Sequence, residues 1–193
     1  MENSVLACIK SRRSIRRYKE DQISEDQLDL LLEAATWAPS GSNSQSWLFL
    51  ALQNKGLLVE LNTIIKKAFL TWTPDDDYPA KKRAVINSAK ENFSFFHNAP
   101  TLIIAANVPG YQNGLADCTL ALQNIFLMAQ SIGLGTCWIN QLRWLRDEST
   151  VREFLVTIGI PLEYEIFCSA VVGCPAHAPS PFARKEGRTL VVR

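Results

Sequence analysis

Lys10-Ser11-Arg12-Arg13-Ser14-Ile15-Arg16-Arg17-Tyr18-Lys19 sets six cationic side chains into ten residues, in a chain whose formal net charge is only +1. Arginine offers a planar fork of donors matched to phosphate. A serine hydroxyl between two arginine pairs adds a short hydrogen bond that a merely solubilising run does not need. The stretch therefore predicts a site for an anionic group, with a solvated basic face as the bland alternative. Immediately upstream, Val5, Leu6 and Ile9 recur at helical spacing, so a short helix over 4–10 leads straight into the cluster.

Downstream, residues 24–38 read as the clearest helix. Ser24 and Gln27 form a capping-box pattern, Ile23 and Leu28 are placed as a hydrophobic staple, and Pro39 supplies the stop. Pro39 to Ser46 is then a polar loop that opens into an apolar run over 47–52, read as a buried strand. Helices are expected over 57–69 and 81–96, separated by the turn-rich 73–79. A second buried strand is expected over 101–106, and a central helix packed on several sides over 115–132. Gly133 ends that helix, and a short strand at 137–139, a helix at 147–156 and a strand at 165–172 follow. Strands separated by helices predict an α+β or α/β sheet covered by helices.

The chain has 193 residues, 47% hydrophobic and 20% charged, which predicts a single domain spanning 1–193 with a sizeable core. Near-neutral net charge gives no field for steering nucleic acid or an acidic membrane, so neither is expected as a partner. Five cysteines without a CxxC pair and two distant histidines suggest neither a disulfide framework nor a zinc site. With no signal-peptide core and no run of about 18 apolar residues, a cytoplasmic location is expected.

Three segments taken together sharpen the anion-site reading: the arginine cluster, the 39–45 loop with its amides Asn43 and Gln45, and Gly133-Leu134-Gly135-Thr136-Cys137-Trp138-Ile139-Asn140-Gln141. Amides donate and accept at once, which suits the edge of a heterocycle. Phosphate at one end and an amide-lined slot at the other describe a mononucleotide. Taken singly, the loop reads as a turn and Gly133-x-Gly135 as a helix C-cap rather than a phosphate cradle. Without GxGxxG there is no Rossmann signal.

With Ala99-Pro100 ahead of an apolar strand, these segments make the chain resemble the FMN-dependent nitroreductase family over nearly its full length. The likeness rests on Arg12-Arg13-Ser14-Ile15-Arg16, on Ala38-Pro39-Ser40-Gly41-Ser42-Asn43-Ser44-Gln45-Ser46-Trp47, and on Gly133-Leu134-Gly135-Thr136-Cys137-Trp138. It implies an α+β fold with a mainly antiparallel central sheet flanked by helices, assembled as an intertwined homodimer with two FMN sites at the subunit interface. It also implies that Arg12, Arg13, Ser14 and Arg16 contact FMN, with arginines on the phosphate and a cation reaching the N1/O2 side. Pro39, Ser40, Asn43 and Gln45 resemble the loop that lines the isoalloxazine from the partner subunit. Ile139, Asn140 and Gln141 correspond to the turn where a backbone N–H approaches flavin N5, although the glycine common there is absent. Arg184, Lys185 and Arg188 resemble basic residues that close over the phosphate.

The activity implied is transfer of electrons from NAD(P)H through FMN to a flat acceptor such as a nitroaromatic or quinone, by ping-pong kinetics. Arg16 would stabilise charge at N1/O2, and no protein acid or base is required. Rival readings keep the fold but change the chemistry, to a reductive dehalogenase or flavin-consuming oxygenase, or to a non-catalytic FMN carrier or sensor. A dehalogenase needs a polar lid, and the 72–78 loop is short for one. Cys137 reads as a small buried hydrophobe, His97 as a helix-end residue and Trp138 as core. Trp72, Trp144, Phe69 and Tyr78 read as core or as the mouth of a pocket.

Overall fold

Apolar side chains fill nearly every position of the strand expected at 101–106, so that strand has to be covered on both faces. In the computed structural model, which describes residues 3–74, 78–177, 179–180 and 182–193, it forms the fully buried β2 (Thr101–Asn107). β2 pairs antiparallel with β1 (Leu48–Leu52) and β4 (Glu165–Gly173), and β4 pairs antiparallel with β3 (Gly135–Ile139). The order is β1-β2-β4-β3. The helices are α1 (Ser4–Ser11), α2 (Glu25–Thr36), α3 (Lys55–Thr71), α4 (Pro79–Ser88), α5 (Gly114–Ser131), α6 (Gln141–Trp144) and α7 (Ser149–Thr157).

Alternation along β2 divides the core in two. Ile103 and Ala105 meet Leu31 of α2 and Cys118, Leu122 and Ile125 of α5 on one face. Leu102, Ile104 and Ala106 meet Leu61 and Ile65 of α3 and Val151 and Leu155 of α7 on the other. The result is a three-layer α+β arrangement with an all-antiparallel sheet, as expected.

The Ser24–Gln27 capping box forms in full, with the Gln27 N–H donating to Ser24 Oγ at 3.2 Å and the Ser24 N–H donating to Gln27 Oε1 at 3.0 Å. Two expectations need correction. The helix expected over 81–96 stops at Ser88, because Asn62 of α3 takes the next segment's backbone. Its Nδ2 donates to Phe93 O at 2.9 Å and its Oδ1 accepts from the Phe95 N–H at 3.0 Å, drawing Phe95 and Phe96 into the core as turns. The strand at β1 is only half-buried from Leu48 to Ala51, because it lies at the edge of the sheet.

Candidate functional site

At the end of α1 the Arg12 N–H turns back to Cys8 O at 3.1 Å, and the chain continues extended. Ser14 bridges Thr136 in parallel, and the Ile15 N–H donates to Thr136 O at 2.8 Å. The arginine run is thereby laid against the outer edge of β3. Lys19 N–H to Cys174 O at 2.9 Å and Tyr18 OH to Ile15 O at 2.6 Å hold its far end. Ile15 is the buried member of the run; Arg12, Arg13 and Ser14 are half-buried and Arg16 is exposed. Arg13 turns onto its own helix end, its Nη1 donating to Lys10 O and Arg12 O, both at 2.6 Å, while its buried Nε has no partner among the described residues.

Both glycines of Gly133-x-Gly135 have a structural use. Gly133, at φ 78°, turns the chain out of α5 while the Leu134 N–H donates to Ala129 O at 2.8 Å. Gly135 lets Ile15 approach: a Cβ there would lie 2.6 Å from Ile15 Cγ1 and 2.9 Å from its Cβ. Gly135→Ala should therefore push the arginine run off β3 and cost about 1–3 kcal/mol, as overpacking does. In a thermal melt this is a drop of several degrees, and an unchanged midpoint would mean that the run does not depend on this approach.

Beyond the run lies a cavity of about 230 Å³, lined by Arg16, His97, four residues of α4 (Ala80, Arg83, Ala84, Asn87) and Cys137 to Gln141 with Trp144. Arg16 and the Ile139–Gln141 turn, assigned separately from the sequence, share this cavity. The Asn140 N–H donates to Gln141 Oε1 at 3.1 Å, and Asn140 Oδ1 accepts from Trp138 Nε1 at 2.7 Å. His97 sits at a left-handed backbone (φ 55°) and not in a helix cap. Burial, and then the Arg16 charge, lower its pKa. A folded value below the unfolded one means that stability from this group is intact above about pH 6.5 and is lost as acid favours the unfolded, proton-binding state. Burial raises the Cys137 thiol, against a smaller opposite effect of Arg16 and Arg12, so it stays protonated, as befits a small apolar filler. Trp144 and Trp138 line the cavity, Trp72 lines the neighbouring one, and Phe69 is fully buried.

The amide loop is built elsewhere. Residues 41–43 form a 3-10 turn, and Ser42, Asn43 and Gln45 all adopt positive φ (52°, 54° and 47°), a conformation that must be held from outside. Three residues missed in the sequence hold it. Both carboxylate oxygens of buried Asp117, in the first turn of α5, accept from the Gly41 N–H at 3.2 Å. Tyr111 OH donates to Gly41 O at 3.0 Å and lies 3.0 Å from Ser44 Oγ. Asn113 closes over Gly41, where a Cβ would lie 2.2 Å from its Nδ2. An Asp in a helix read as apolar was the available signal. Pro39, Asn43 and Gln45 face outward, and Gln45 Nε2 donates to Asn43 Oδ1 at 3.0 Å.

The loop and the arginine run occupy opposite corners of one sheet. The loop precedes β1, whose Leu48 aligns with Ala106 and, through it, with Ile166; the run aligns with Thr136 and Val172. Four strand spacings and six residues along β4 put them roughly 28 Å apart, farther than one mononucleotide reaches. Arg184, Lys185 and Arg188 lie in an exposed tail in which Leu190 and Val192 are 97% and 98% exposed. A groove of about 580 Å³ between α1, α2 and α5 is lined by Val5, Cys8, Leu30, Trp37, Leu127 and Met128, with Trp37 79% exposed.

Among the described residues, no helix is long and apolar enough to cross a membrane, and no group of His, Cys, Asp and Glu is placed to hold a metal ion. The profile of the nitroreductase family matches residues 9–174. A nitroreductase with bound FMN from Bacteroides fragilis is 35% identical, with a TM-score of 0.91 and all of both chains covered. A second FMN-bound nitroreductase, from Desulfitobacterium hafniense, is 26% identical with a TM-score of 0.85, again covering all of both chains. A candidate NADH dehydrogenase/NAD(P)H nitroreductase of Archaeoglobus fulgidus is 29% identical over 88% of this chain and 84% of its own length.

Proposed function

The chain belongs to the nitroreductase family, and from that premise we propose that it binds FMN between two copies of itself and passes electrons from NAD(P)H to flat acceptors such as nitroaromatics or quinones. The observation that carries this reading is the shared cavity. Arg16 and Asn140 border one space, and the phosphate-ready donors of Arg12, Arg13 and Ser14 precede Arg16 in the chain.

The residues present fit the cofactor. A buried Arg13 Nε without a partner is a donor awaiting an acceptor, and the Arg12 side chain forms no ion pair among the described residues. Ser14 adds a hydroxyl next to them in the chain. When bound, FMN supplies the chemistry of hydride acceptance and onward electron transfer. Arg16 would place positive charge against its pyrimidine side, and the Asn140 N–H would exchange the Gln141 amide oxygen for a ring nitrogen. Trp138 and Trp144 border that space with indole surface. One open space serving donor and acceptor in turn predicts ping-pong kinetics.

Three features support the homodimer. The amide loop and the arginine run lie too far apart to meet in one chain, so a second copy would complete each site. The apolar groove leaves Trp37 and Leu30 exposed, surface that a second copy would cover. Finally, Thr189-Leu190-Val191-Val192 is an exposed, β-prone tail, and β1 is a half-buried edge strand with nothing paired beyond it among the described residues. An extended tail exchanged between copies would make the dimer intertwined, carrying Arg184, Lys185 and Arg188 toward the partner's phosphate site.

The deciding experiment is the visible spectrum of the purified protein, recorded anaerobically before and after NADH and then NADPH. Flavin bands that bleach with either donor, and return on adding a quinone, are the expected result. Bands that neither donor bleaches would replace the reductase with a carrier. A protein that is colourless and takes up no added FMN would overturn the reading altogether.

A further inference from the structure

We propose that Arg83 is a second anion point in this cavity, separate from the cofactor's own cations, and that it selects flat aromatic ligands bearing a compact anionic group. The inference rests on reading the cavity as the place where those ligands meet the cofactor. α4 presents Ala80, Arg83, Ala84 and Asn87 to it, at spacings of i, i+3, i+4 and i+7, which is one face of the helix. The two alanines leave room for a planar molecule, and Arg83 and Asn87 stand exposed above them. Gln141 and Trp144, three apart on α6, line the same space with an amide and an indole. Among the described residues the lining contains two arginines and no carboxylate, and Arg83 forms no ion pair.

This charge pattern is lopsided for a site that only stacks neutral rings. Arg16 faces the cofactor end, leaving Arg83 as the cation with no assigned counterpart. A guanidinium matches a carboxylate through two parallel hydrogen bonds and a phosphate in the same way. Its counterpart is therefore either a carboxylate on the acceptor or the 2′-phosphate of a nicotinamide donor. Both are anions carried into the same space by a planar ring. At an exposed rim the preference should be about fivefold, because the charge is partly solvated in the free protein.

The test is quenching of tryptophan fluorescence in the full-length protein by 4-nitrobenzoate and by its near-isosteric neutral counterpart 4-nitrobenzamide, with flavin content read from the same samples. The wild type should bind the anion about fivefold more tightly. Arg83→Gln should level the two, and Arg83→Lys should restore part of the difference. The same titration with NADP+ against NAD+ identifies the source: a preference found there, and abolished by Arg83→Gln, assigns the anion point to the donor's phosphate. Absence of any charge preference in the wild type, including no measurable binding, overturns the proposal, as does a preference that survives Arg83→Gln. The flavin reading fails separately, through a colourless protein, and the charge preference remains readable in that case.

Discussion

Arg12→Ala combined with Arg16→Ala should yield a folded protein that has lost its flavin. Each charge-assisted hydrogen bond to a phosphate or to the flavin edge is worth about 1.5–3 kcal/mol. Two such losses amount to about 3–6 kcal/mol, which weakens FMN binding by roughly 10² to 10⁴-fold. Purification would then leave the protein essentially colourless. Stability should change little, because neither side chain forms an ion pair among the described residues and the bonds that hold the run are backbone bonds, from Ile15 to Thr136 of β3 and from Lys19 to Cys174. Arg13 is the wrong residue to remove first: its Nη1 holds two carbonyls at the end of α1, and alanine there would fray the helix. Wild-type flavin content in the double variant, measured by absorbance after gel filtration, would remove the arginine run from the site.

Leu30→Glu combined with Trp37→Glu should dissociate the proposed dimer and release the flavin with it. Burying a large apolar side chain contributes about 1.5–3 kcal/mol, and a two-fold interface contains each position twice. Four such losses remove about 6–12 kcal/mol, comparable with the whole association energy of a micromolar to nanomolar dimer. The introduced carboxylates add a desolvation cost in the same direction. Sedimentation equilibrium alongside the visible spectrum separates the possibilities. A variant that sediments as a monomer yet keeps stoichiometric flavin would place a complete site within one chain, and a monomeric wild type would remove the interface itself.

Much of this architecture is legible in the chain because the signals are local. The capping box at Ser24 needs only Ser24 and Gln27, and a run such as Leu102-Ile103-Ile104-Ala105-Ala106 has no stable place except between two layers. The loop and the turn at Ile139–Gln141 announce themselves by backbone-permissive and amide residues. What escapes is set by side chains acting at a distance. Nothing near Ser88 says that Asn62, on another helix, will claim the backbone at Phe93 and Phe95 and end α4 early. Asp117 lies within an apolar helix, and its role as acceptor for Gly41 depends on a packing arrangement that no local pattern encodes. β1 reads as buried because its residues are apolar, whereas its position at the edge of the sheet depends on the order in which the strands pair.

The diagonal placement of the amide loop and the arginine run has a genetic meaning. If each site draws one half from each copy, a lesion in the loop of one subunit disables the site whose arginines belong to its neighbour. Two defective alleles, one altered at Arg12 and Arg16 and the other at Asn43 and Gln45, would each be inactive alone. In a mixed population about half of the dimers would be hybrids, each with one site carrying both lesions and one carrying neither, so about a quarter of all sites would recover. Complementation at this locus would then follow from the distance between two corners of a sheet.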